Sequence, residues 1–105
     1  MSFNAIKWAV AQETTAPQKS VLMILAFHFN DEEHCAWPSH NLIAQETNLS
    51  RATVVRSITS LQRDLALIEI ESREDAAGRQ TSNRYYLPDY DAQSRRAPPR
   101  LEAVA

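Results

Sequence analysis

The chain has 105 residues, 44% of them hydrophobic, and a formal net charge of −2, which suits one domain with a modest core. A single cysteine, Cys35, excludes an internal disulfide and fits a reducing cytoplasm, and no apolar run approaches the roughly 20 residues of a membrane helix. No basic region followed by an apolar block opens the chain, so no signal peptide is expected, and there is no internal repeat.

Phe3 to Gln12 reads as a short helix with Phe3, Ile6 and Val10 facing inward and Trp8 beside them. After a linker, Thr15 or Ala16 caps a second helix, with Pro17 in its first turn, where a missing N–H costs nothing. Residues 17–30 are apolar around most of the circumference (Val21, Leu22, Ile24, Leu25, Phe27, Phe29), as expected of a central core helix. Asn30 to His34 is an acidic turn. Its neighbouring Asp31, Glu32 and Glu33 share no fixed face, so a solvated loop explains them better than paired catalytic carboxylates. Cys35-Ala36-Trp37-Pro38 is extended, because a residue before proline avoids helical angles, and is a candidate short strand.

Residues 39–65 form two short helices around a tight turn. Ser39 caps the first, whose buried side is Leu42, Ile43 and Ala44, and Leu49 plugs the turn. Ser50 caps the second, in which Val54, Ile58, Leu61 and Leu65 follow one helical stripe. The opposite face carries Ala52, Arg56, Thr59 and Arg63, and the first turn offers Ser50, Arg51 and Thr53. A helix that is apolar on one side and basic and hydroxylated on the other is suited to a DNA groove.

The period then changes. Leu67 to Arg73 alternates as a half-buried strand, with Ile68 and Ile70 inward. Glu74 to Ser82 holds Gly78, the only glycine and a turn marker, and Asn83 to Leu87 reads as the returning strand. From Pro88 the chain lacks periodicity. The expected organisation is a domain over residues 1–90 and a flexible tail or linker start over 91–105. The fold class is mainly α with a small β-hairpin, a winged helix-turn-helix.

Ala36-Trp37-Pro38-Ser39, Leu49-Ser50-Arg51-Ala52-Thr53-Val54 and Arg79-Gln80-Thr81-Ser82-Asn83-Arg84-Tyr85-Tyr86-Leu87 resemble the winged helix-turn-helix domains of phage and plasmid replication-initiation and regulatory proteins. The resemblance covers roughly residues 5–88. Two positions depart from it: Ala52 stands where such domains often carry a second basic residue, and Ala66 stands where glycine usually leads into the wing. The resemblance implies sequence-specific binding of double-stranded DNA by a recognition helix (50–63) and a wing (73–85), in a transcriptional regulator or replication-origin-binding protein of a mobile element.

All nine arginines lie in residues 50–105, against eight acids, whereas residues 1–49 hold two lysines and five acids. Arginine makes the bidentate contacts that phosphate and guanine accept. The candidate DNA-binding residues are Ser50, Arg51, Ala52, Thr53, Arg56, Ser57 and Ser60 on the second motif helix, Ser39 and His40 at the start of the first, and Arg79, Gln80, Thr81 and Arg84 on the wing. The competing explanations are a solvated helix face, an ordinary polar hairpin and, for Arg63, complementing the helix dipole. Trp8 and Trp37 suit core or hinge packing more than base stacking. His28, His34, Cys35 and His40 lack metal-ligand spacing, and no phosphate loop, nucleophile elbow or histidine–carboxylate pattern occurs, so neither metal, cofactor nor enzymatic activity is expected. The expected partners are double-stranded DNA, a second copy of the chain, and a replication or transcription protein, with no membrane. The alternative is a winged-helix protein-interaction or dimerisation module with little DNA affinity, favoured by the net negative charge and by Ala52.

Overall fold

The computed structural model describes residues 2–79 and 81–96. Five helices and one hairpin follow in the order α1 (Phe3–Ala11), α2 (Ala16–His28), α3 (His40–Thr47), α4 (Arg51–Arg63), β1 (Glu69–Glu71), β2 (Arg84–Tyr86) and α5 (Pro88–Arg96). Local chemistry sets the helix starts. Thr15 and Gln18 form a reciprocal capping box at α2, and Pro17 occupies its first turn. Ser39 and Ser50 cap α3 and α4 by accepting the backbone N–H of Leu42 and Thr53.

Helix α2 is the hub, with Val21, Leu22, Leu25 and Ala26 fully buried and α1, α3 and α4 packed around it. Ile43 of α3 and Val54, Ile58 and Leu61 of α4 close the core from the other side. The α4 stripe stops at Leu61, since Leu65 lies beyond the helix and is 38% exposed. Helix α1 turns a different face inward from the one its large apolar residues predict. Ala5, Trp8 and Ala9 are buried, whereas Phe3 and Val10 are 69% and 51% exposed. Two alanines at i, i+4 form a shallow surface that lets α1 approach α2 closely, and Trp8 fills the remaining gap.

The hairpin is antiparallel, in the register Glu69↔Tyr86, Ile70↔Tyr85 and Glu71↔Arg84. Cys35-Ala36 adds a strand-like edge: Ala36 and Tyr85 exchange backbone hydrogen bonds of 2.9 and 2.7 Å, so β2 lies between β1 and this segment. Cys35 is fully buried, and burial pushes its thiol pKa up. Trp37, two residues on, is 43% exposed, unlike Trp8.

Among the described residues, His34, Asn48 and Ala66 take up left-handed backbone without being glycine, the last two at helix ends. Asn48, at φ 60°, ends α3 and starts the turn into α4. Ala66, at φ 52°, follows α4. The Leu67 N–H reaches back to the Leu61 carbonyl at 2.9 Å, one residue wider than the closing bond of a Schellman helix end. Ala66 stands where the resembling domains usually carry glycine, and it adopts the left-handed conformation itself, because the chain must reverse at once to bury Leu67 and Ile68.

Past Pro88 the chain continues as a helix although its sequence lacks periodicity. Residues 88–96 are helical, with Asp89 and Asp91 favourably placed in the first turn, so a tail does not begin at 91; residues 97–105 lie outside the described part. Tyr90 explains the docking of α5. It is 7% exposed, stacks edge-on to Phe29 at 5.4 Å and tilted to Trp8 at 6.1 Å, and its hydroxyl lies 3.4 Å from that of Ser2.

Candidate nucleic-acid interface

Helices α3 and α4, with the turn at Asn48, form the motif the sequence predicted. The Thr47 hydroxyl donates to the Ile43 carbonyl at 2.7 Å and accepts the Leu49 N–H at 3.3 Å, which binds the turn to the end of α3. Leu49 is half-buried against the core, as its place between the helices requires.

The outer face of α4 is exposed at Arg51, Ala52, Val55, Arg56, Thr59 and Arg63. Its first turn is pre-organised by hydroxyls. Ser50 Oγ donates to Thr53 Oγ1 at 2.9 Å, and Arg56 Nη2 donates to the same oxygen at 3.2 Å. Thr53 therefore accepts twice and keeps its own proton to donate, while the Arg56 guanidinium is steadied with most of its donors still available. Ser60 is half-buried at the edge of this face. Ser57 does not belong to it: it is 5% exposed, one turn from Val54 and Leu61 on the core side, so it cannot reach a phosphate.

Ser39, His40, Arg51 and Thr81 meet around one cleft of about 580 Å³ between the start of α3, the start of α4 and the strand returning from the wing. Asn41, Ser82 and Asn83 complete its walls, with Pro38 and Tyr85 also lining it. The free N–H groups at the start of α3 and the Arg51 guanidinium give the cleft positive character suited to an anionic oxygen. Partial burial, and then the neighbouring Arg51 charge, lower the pKa of His40 below its ordinary value of 6.5. Burial raises the pKa of Tyr85, an effect that the Asn83 side chain opposes.

The wing candidates separate. Arg79 lies at the tip, 81% exposed, but its Nε is 3.3 Å from Asp75 Oδ2. Asp75 also accepts the N–H groups of Ala77 and Arg79, and Gly78 completes the turn at φ 82°. Arg84 is not a wing-tip group. It lies in β2, half-buried opposite Glu71, where a hydrogen bond to Tyr86 raises its pKa, and the Tyr86 hydroxyl bonds Glu71 at 3.1 Å. Gln80 lies outside the described residues.

The residues that raised the question of metal binding occupy separate places. His28 pairs with Glu46 at 2.6 Å, linking α2 to α3, and His34 with Asp91 at 3.2 Å, linking the acidic turn to α5. His40 faces the cleft and Cys35 the core.

The sequence did not single out Val55 or Asn83 as contact residues. Val55 could have been found from its place outside the Val54, Ile58 and Leu61 stripe. Asn83 lines the cleft only through the return of the wing onto α3, which no local pattern encodes. Among the described residues, no helix is long and apolar enough to cross a membrane. No curated protein and no solved structure gives a significant match to the chain. Residues 15–64, from the cap of α2 to the end of α4, match the model of a helix-turn-helix domain family, a match that supports DNA binding in general.

Proposed function

We propose that the chain binds double-stranded DNA with sequence preference, laying the outer face of α4 in the major groove and the wing along the adjacent backbone. The carrying observation is the exposed arginine-bearing face of α4, with Arg56 steadied by Thr53, inside the segment that matches a helix-turn-helix domain. Arg51 and the start of α3 would hold a backbone phosphate in the cleft, while Arg56 and Thr53 meet base edges. A single domain of this size covers only about 600–1,000 Å² on DNA, which favours a dimer or tandem sites. The role is that of a non-enzymatic transcriptional regulator or replication-origin-binding protein of a phage or plasmid, acting in a prokaryotic cytoplasm.

The test is selection of duplexes from a random pool, followed by titration of wild type and an Arg51→Ala/Arg56→Ala double variant against the winner. Arg56→Ala alone is expected to cost about 1–3 kcal/mol if Arg56 makes a bidentate base contact. Equal affinity of wild type and the double variant at low salt would refute the assignment. A second function, docking to a protein, is favoured by the Asp75–Arg79 pairing at the wing tip and the net charge of −2. It predicts no mobility shift with micromolar protein at about 50 mM salt, where even nonspecific DNA binders retain measurable affinity.

A further inference from the structure

The outer face of α4 is not uniformly polar. Ala52, Val55 and Thr59, at i, i+3 and i+7, form a row that is exposed throughout, with Val55 40% exposed. The Thr59 hydroxyl donates to the Val55 carbonyl at 3.0 Å, so this side chain presents a methyl beside an already engaged hydroxyl. Arg51 and Arg56 flank the row. An exposed valine between arginines on a helix face gains nothing from water.

We propose that this row reads the 5-methyl groups of thymine, an inference that rests on the placement of α4 in the major groove. Apolar side chains there discriminate by contact with the thymine methyl, the one apolar group on the major-groove edge of a base pair. Seven helical residues rise about 10 Å, so the row spans roughly three base pairs. The target thus carries consecutive A·T pairs with thymine methyls facing Ala52, Val55 and Thr59, next to a guanine within reach of Arg56. Ala52 is then a contact in its own right, since a longer basic side chain at 52 would cover the methyl-reading row.

The probe is the duplex that wins the random-pool selection, made with thymine or with deoxyuridine, which keeps Watson–Crick pairing and lacks only the methyl. Wild type is expected to lose about fourfold in affinity for each contacted methyl removed, the effect of one buried CH₂-sized group. Val55→Ser, an exposed substitution checked for unchanged melting, should bind the thymine duplex more weakly and distinguish it less from the uracil duplex. Arg56→Ala should weaken both duplexes alike. If wild type selects a duplex but binds its uracil form equally well, the methyl-reading row is overturned while DNA binding stands. If no duplex is enriched, both fall.

Discussion

Replacing Ala66 by glycine should stabilise the domain. Ala66 sits at φ 52° directly after α4, and its side chain is exposed, so removing the methyl sacrifices no packing. An L-residue with a Cβ is disfavoured in this region by about 1–2 kcal/mol. Glycine relieves that strain but raises the entropy of the unfolded chain, which offsets about 0.4–1 kcal/mol. The net expectation is a gain of about 0.5–1 kcal/mol, or a few degrees in Tm for a domain of this size. Urea titration followed by far-ultraviolet circular dichroism measures it, with an unchanged m-value as the sign that only stability has moved. Ala66→Val should go the opposite way, because a β-branched side chain tolerates positive φ less well. Asn48→Gly is the internal control: asparagine already accepts φ 60°, so its gain should be smaller. An Ala66→Gly protein no more stable than wild type would refute the claim that the exit from α4 is strained.

Three further outcomes are expected. Tyr90→Ala should cost about 3 kcal/mol, the range for emptying a buried aromatic site, whereas Tyr90→Phe should cost under about 1 kcal/mol because only the long contact to Ser2 is lost; thermal melts compare them. Ser57→Ala should leave duplex affinity within about twofold of wild type, since Ser57 faces the core; a large loss in a binding titration would contradict that placement. His40→Gln should reduce the loss of stability on acidification. The folded state holds His40 neutral below its ordinary pKa of 6.5, so as pH falls through that value the unfolded chain takes up the proton first and is favoured. Unfolding curves at pH 7.5 and 5.5 should therefore diverge less for the variant than for wild type.

The elements whose ends carry their own chemistry were legible from sequence: Ser39 and Ser50 mark α3 and α4 where they begin, and Thr15, one of two candidate caps, marks α2. The apolar stripe of α4 was equally plain at Val54, Ile58 and Leu61, though not at Leu65, which follows the same spacing but lies beyond the helix end. Helix α1 had two eligible faces, and residue size favoured Phe3 and Val10 while close packing on α2 favoured Ala5 and Ala9. The start of α5 had signals, Pro88 followed by Asp89 and Asp91, but among its described side chains Tyr90 alone joins the apolar core, too little to show as a period. For the site, the α4 face was readable and the cleft was not. Bringing Thr81 and Asn83 beside His40 and Arg51 depends on the Ala36–Tyr85 bridge, a contact between residues far apart in sequence.

The two tryptophans give the molecule a pair of independent optical reporters. Trp8 is shielded in the core against Tyr90 at 6.1 Å, so its emission should shift to longer wavelength when α5 undocks or the domain unfolds. Trp37 is open to solvent and precedes Pro38 and Ser39 at the edge of the cleft, where an arriving polyanion would alter its quenching without disturbing Trp8. Single-tryptophan variants would thus follow occupancy at one end of the chain and unfolding at the other in the same cuvette, without a label.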